Sequence, residues 1–149
     1  MSDINQLIID SSIRSAWFKL SRMYNQKALE HGLTMSIGFI LMNIDKEGTP
    51  STQLGPRMGM QATSLSRTLK TMEEKGLIER KEEGNDKRKV LIFLTKSGVD
   101  TRREVRNFLV DFNNKVVENI SSSKLKVFFE VIQKIDDLID SEIQENKNK

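Results

Sequence analysis

The sequence has no cysteine, one histidine, one tryptophan, one tyrosine and only two prolines in 149 residues. Without cysteine there is no disulfide, no thiolate metal site and no thiol-based redox sensor. That absence fits a reducing cytoplasm, which is the expected location. The lone histidine, His31, has no carboxylate or cysteine at ligand spacing, and reads as a residue near a helix C-terminus rather than a metal ligand. No apolar run approaches the ~20 residues of a membrane-spanning helix, and Met1-Ser2-Asp3 opens no signal peptide, so no membrane partner is expected. There is no glycine-rich phosphate loop. Carboxylates are adjacent at Glu73-Glu74, Glu82-Glu83 and Asp136-Asp137, but neighbours on a helix or strand do not face each other. They read as surface charges, not as a general acid–base pair. No catalytic residue, metal or cofactor is expected, and the chain does not read as an enzyme.

What is present is uneven charge and strong helical periodicity. The length suits a single domain spanning 1–149 with a core of its own. The net charge of +3 says little about a partner. Its distribution says more. Residues 1–56 carry five basic and five acidic groups, residues 57–106 carry thirteen and eight, and residues 107–149 carry six and eight. The positive excess is therefore concentrated in the middle third, as a phosphate-binding surface requires, although a merely solvated charged face would look similar.

The stretch Met58–Leu94 occupies that region, and the rest of the chain is organised around it. Ala62, Leu65, Leu69 and Met72 recur at spacings of three and four and give one apolar helix face. The opposite face carries Thr63, Ser64, Ser66, Arg67, Lys70 and Thr71. Gly76 supplies the helix stop. Leu77–Lys81 reads as a strand, Gly84–Lys87 as a turn, and Val90–Leu94 as a second strand. A short-chained, polar and basic helix can enter the major groove of DNA, where base pairs are distinguishable. A basic hairpin tip beside it can reach phosphate or the minor groove.

Thr63-Ser64-Leu65-Ser66-Arg67, Leu69, Met72–Arg80, Asp86-Lys87-Arg88 and Leu94-Thr95-x-x-Gly98 together resemble the MarR family of bacterial transcriptional regulators. The resemblance implies a mainly α fold with a small β-wing: a winged helix–turn–helix at 34–98, with dimerisation helices at 1–33 and 99–149. It implies a homodimer, a repressor of transcription, and a near-palindromic double-stranded operator. It places Gln61, Thr63, Ser64, Ser66, Arg67 and Lys70 on a recognition helix and Asp86, Lys87, Arg88 and Lys89 in a wing. There Arg88 enters the minor groove and Asp86 helps hold it. A narrow minor groove attracts arginine, and a carboxylate can orient a guanidinium. The family also implies a pocket for a small, often aromatic, effector between the two sets of helices. Trp17, Tyr24 and Phe39 are candidate lining residues, though each reads more readily as plain core.

Elsewhere the pattern predicts a long first helix from about Ile4 to Glu30, with Ile4, Leu7, Ile8, Ile13, Trp17, Leu20 and Tyr24 as its stripe. Thr34 caps a second helix from Met35 to about Ile44. Residues 45–50 read as a loop, and Ser51 as the cap of a third helix, Thr52–Met58. Pro56 inside it requires either a kink or a helix whose regular part starts at Pro56 with Gly55 outside. Gly59 allows the turn into the recognition helix. Thr95 caps a fifth helix reaching about Ile120, with Val105, Phe108, Leu109, Phe112, Val116 and Ile120 as its stripe. Ser122 or Ser123 caps a sixth helix reaching about Glu142, with Glu145–Lys149 a frayed polar tail. The first, fifth and sixth helices are more apolar than a small winged-helix core can cover. The rival reading is a winged-helix adaptor that binds protein instead of DNA. It would need an apolar or acidic recognition face, which Arg67, Lys70 and the hydroxyls contradict.

Overall fold

The computed structural model describes residues 9–148, except the side chains of Glu83 and of Asp86, Lys87, Arg88 and Lys89 in the hairpin. The expected helix start, with Ile4, Leu7 and Ile8, lies outside the described residues. Six helices and three strands follow: α1 (Ile9–Leu29), α2 (Met35–Asn43), β1 (Thr49–Pro50), α3 (Ser51–Met58), α4 (Ala62–Glu74), β2 (Ile78–Glu83), β3 (Asp86–Leu94), α5 (Lys96–Asn119) and α6 (Ser122–Lys147). This is a mainly helical chain with a small antiparallel sheet. The chain divides into two compact units, Met1–Arg106 and Asn107–Lys149. Among the described residues, no helix is long and apolar enough to cross a membrane.

The core belongs to the first unit. Ile37, Ile40, Leu41 and Ile44 from α2 and its end meet Leu54 of α3, Leu65, Leu69 and Met72 of α4, and Leu77, Ile78 and Ile92 of the sheet. The helical spacings read from α2 and α4 therefore do mark buried faces. Ala62 shares that spacing but is exposed: it is the first residue of α4, at the open end of the apolar face. Thr34 caps α2, its Oγ1 accepting from the Ile37 amide at 3.3 Å.

α3 and α4 end with the same pair of backbone bonds. At the end of α3, Gly59 N–H donates to the Pro56 carbonyl and Met60 N–H to the Gly55 carbonyl. At the end of α4, Gly76 donates to Glu73 and Leu77 to Met72. This stop satisfies otherwise orphaned carbonyls, and it needs a left-handed residue. Gly59 (φ 63°) and Gly76 (φ 69°) supply one without a Cβ clash. The residue after each glycine then turns back onto the core: Met60 is partly buried and Leu77 is buried. α1 closes in the same manner, with Gly32 donating to Leu29 and Leu33 to Ala28.

Several readings need correction. Thr49-Pro50 is not loop but strand β1, which pairs with Leu91 and Ile92 and makes the sheet three-stranded in the order β1-β3-β2. Proline is tolerated there because β1 is an edge. The hairpin strands are also longer than expected, with only Gly84-Asn85 left as the turn. Second, Pro50, not Ser51, precedes α3 as its cap residue, and the helix runs through both Gly55 and Pro56. Glycine before proline lacks the Cβ that would clash with the proline ring, so the helical conformation survives. The amide that Pro56 lacks would have served Thr52, which is exposed to water. Third, α6 is preceded by Ser121 rather than Ser122 or Ser123, and no side-chain cap bond forms. Fourth, α6 continues past Glu142 to Lys147. Its last residues are good helix formers, and helical conformation does not require an apolar stripe.

Candidate nucleic-acid interface

The helix that carries most of the candidate site starts bare. Gln61 precedes α4 in extended conformation without a side-chain cap bond, and no carboxylate lies in the first turn. The first amides of α4 therefore keep their donors and the positive end of the helix dipole for an outside acceptor. Gln61, Thr63, Ser64, Ser66, Arg67 and Lys70 are all exposed. Thr68 and Thr71 spend their hydroxyls within the helix, on the Ser64 carbonyl at 2.9 Å and the Arg67 carbonyl at 3.2 Å. Among the described residues, the hydroxyls of Thr63, Ser64 and Ser66 have no partner, and no carboxylate pairs with Arg67. Lys70 has only a loose contact with Glu74 at 4.0 Å.

Several charges of the basic middle third serve the fold instead. Arg80 Nε donates to Glu73 Oε2 at 3.1 Å and ties β2 to the last turn of α4. Arg57 of α3 donates to the Asn43 carbonyl and to Asp45 Oδ2, both at 3.0 Å, and to Gln53 Oε1 at 3.2 Å. Arg102 of α5 donates to the Ile44 carbonyl at 2.8 Å. Charge counting alone could not reveal this. Arg57 and Arg102 sit 14 and 58 residues from the carbonyls they hold, and no local pattern marks either pairing.

The hairpin is fixed at its base and irregular at its tip. Ile78 pairs with Leu94 and Glu82 with Val90, yet Glu83 pairs with Asp86. One step along β2 thus matches four along β3, which leaves three extra residues, Lys87, Arg88 and Lys89, in a bulged tip. The side chains of Asp86, Lys87, Arg88 and Lys89 lie outside the described residues. At the base, Thr95 Oγ1 donates to the Gly76 carbonyl at 2.6 Å and accepts from the Gly98 amide at 3.0 Å. A Cβ at Gly98 would overlap the Leu77 carbonyl oxygen. The Thr95-x-x-Gly98 spacing is thus a close joint between the end of the hairpin and α5.

Away from this face, the three aromatic candidates come together. Phe39 stacks on Trp17 with ring centres 6.5 Å apart, and meets Tyr24 edge-on at 6.2 Å. Burial pushes the Tyr24 hydroxyl above its ordinary pKa. Trp17 remains half exposed. Among the described residues, no group of three or more metal-ligating side chains gathers.

Comparison with known proteins places this arrangement. The sequence model of the MarR family matches residues 33–90. The HTH-type transcriptional regulator SarZ of Staphylococcus epidermidis is 30% identical over 118 residues, covering 77% of each chain. A structure of the S. aureus MepR–DNA complex superposes with a TM-score of 0.82 at 18% identity, covering 90% of this chain and 99% of the other. A mutant MarR from E. coli complexed with operator DNA gives 0.76 at 22% identity, covering 90% and 99%. The fold is that of the winged helix–turn–helix regulators, and the chain belongs to the MarR family of transcriptional regulators.

Proposed function

We infer that the protein is a homodimeric, effector-responsive repressor of the bacterial cytoplasm, acting on near-palindromic double-stranded DNA. One observation carries the DNA reading: the exposed face of α4 presents hydroxyls without partners and an arginine without a carboxylate among the described residues. Relatives of the same fold in complex with DNA support it. In this reading 34–98 is the DNA-binding lobe. Gln61, Thr63, Ser64, Ser66, Arg67 and Lys70 face base edges and phosphates in the major groove, and Asp86, Lys87, Arg88 and Lys89 form the wing contact. The segments 1–33 and 99–149 form the dimer, which covers the apolar side chains that one chain leaves in water. The Trp17–Phe39–Tyr24 cluster offers ring faces to a small aromatic effector. Selection of bound duplexes from random DNA tests the reading. A two-fold consensus with half-sites about one helical turn apart is expected. Failure to enrich any sequence would overturn it.

A further inference from the structure

The carbonyls of Asn43 and Ile44 stand where α2 ends, and such end carbonyls lack intrahelical partners. Each is held by an arginine from a different element. Arg57 comes from α3, the first helix of the helix–turn–helix, and Arg102 comes from α5. Asp45, next in the chain, accepts from Arg57 and from the Thr49 hydroxyl, and its own amide donates back to Thr49 Oγ1 at 2.8 Å. Thr49 is fully buried and begins β1. The end of α2 is thus a polar knot joining α3, β1 and α5.

α5 is fastened at a second point. Its start is pinned by Thr95 on the Gly76 carbonyl and by the close approach of Gly98 to Leu77. Arg102 lies seven residues beyond Thr95, about 10 Å along a helix axis. A helix pinned at one end can still swing about that end. A directed bond 10 Å away fixes the angle. Val105 packs against α2 near Gly38, and His31 Nδ1 lies 3.3 Å from Glu104 Oε2. Apolar packing can slide, however, and the His31–Glu104 pair is exposed and screened. The Arg102 bond joins a charged donor to a backbone acceptor, and it sets direction.

We propose that Arg102 is a positioning residue that fixes the direction in which the first turns of α5, up to Arg106, leave the DNA-binding lobe, and thereby the half-site separation that the dimer accepts. The proposal rests on the DNA and dimer reading above. Arg102 touches no DNA in it. Its loss should leave base preference intact and blunt the dependence on spacing.

The test uses full-length wild type, Arg102→Ala and Arg102→Lys on duplexes carrying two identical half-sites at a series of separations. Wild type is expected to show one optimum, with affinity falling at least about tenfold when the separation moves by two base pairs. Arg102→Ala should bind the optimum up to about tenfold more weakly, the scale of one charged hydrogen bond. Across the displaced separations its affinity should vary by no more than about threefold. Arg102→Lys, which keeps charge and a donor, should recover part of the spacing dependence. Preference at each half-site base should not change. If Arg102→Ala loses helical signal, Arg102→Gln carries the same readout. A wild-type spacing profile in the neutral variant overturns the proposal, whatever its overall affinity, because a merely unstable protein loses binding equally at all separations. A wild type that binds no duplex overturns the DNA reading, and this proposal with it.

Discussion

α2 and α6 both carry the apolar spacing of a packed helix, and only one of them is packed. α2 has nine residues and buries Ile37, Gly38, Ile40 and Leu41. α6 has 26 residues and buries none. Phe128 and Phe129 touch edge-on at 5.5 Å yet remain 53% and 64% exposed. Val127, Val131, Leu138, Ile139 and Ile143 are exposed as well. Periodicity therefore reports that a helix has a face to cover. It does not say what covers it. Burying one such side chain is worth about 1.5–3 kcal/mol, so the exposed face of α6 is where the proposed dimer would gain most.

The largest effect should come from a charge placed on that face. Phe128→Asp should raise the dimer dissociation constant by at least about 100-fold, since interface anchors carry that much. Sedimentation should then show the 17.1 kDa single chain, where wild type is expected at twice that mass. A dimer undisturbed by the charge, or a wild type that is monomeric at micromolar concentration, would break the comparison from the α6 side. Gly98→Ala attacks the packed side. The new Cβ has nowhere to go but into the Leu77 carbonyl. A loss of about 1–3 kcal/mol in chemical denaturation is expected, the scale of overpacking a tight site. Unchanged stability would mean that the joint between hairpin and α5 is looser than the geometry states.

Smaller effects separate the recognition helix from the wing. Arg67→Ala should cost about 1–3 kcal/mol of specific binding and relax one position per half-site. Folding stability should stay put, because no ion pair of Arg67 is lost among the described residues. An unchanged sequence preference would remove Arg67 from the base contacts. Arg88→Ala should weaken specific and unrelated duplexes alike and flatten the salt slope by about one unit per arm. Asp86→Ala removes a negative charge, so charge counting predicts tighter binding, while an orienting carboxylate predicts weaker binding. Titrations at several salt concentrations decide between the two signs.

Much of the lobe was legible because its signals are local. Thr34 before an apolar period, the helix-ending Gly59 and Gly76, and a β-branched run before Thr95 each act within a few residues. What escaped is long-range. β1 is two residues long and exists only because Leu91 and Ile92 pair with it. The roles of Arg57 and Arg102 depend on carbonyls far along the chain, so the basic excess looked more available to phosphate than it is. The end of α6 was misplaced because an apolar stripe marks burial, while helix continuation depends on backbone propensity. Of the candidate site, the exposed face of α4 followed directly from its spacing. The gathering of Trp17, Tyr24 and Phe39 needed the packing of α1 on α2, which no single segment encodes.

That aromatic cluster lies between the two regimes and gives the smallest expected effect. α1 buries no residue fully, yet Tyr24 is sheltered enough against Phe39 for burial to push its hydroxyl above the ordinary 10.0. Desolvation penalises the charged tyrosinate, so the folded state holds this proton more tightly than the unfolded chain does. A raised folded pKa gives a contribution to stability that is whole below about pH 10 and fades as pH rises through the folded value. The slope is therefore negative at the alkaline end only, and neutral pH is untouched. The chain has a single tyrosine, so tyrosinate absorbance reports this group alone. The native protein should titrate at higher pH than the same chain in concentrated urea. Tyr24→Phe should remove the alkaline slope attributable to this group while keeping the edge-on ring contact with Phe39. A small aromatic molecule seated against Tyr24 should shelter the hydroxyl further and move the native midpoint upward. A native midpoint equal to the unfolded one would mean that α1 does not shield Tyr24, and that the cluster belongs with the uncovered faces rather than with the packed lobe.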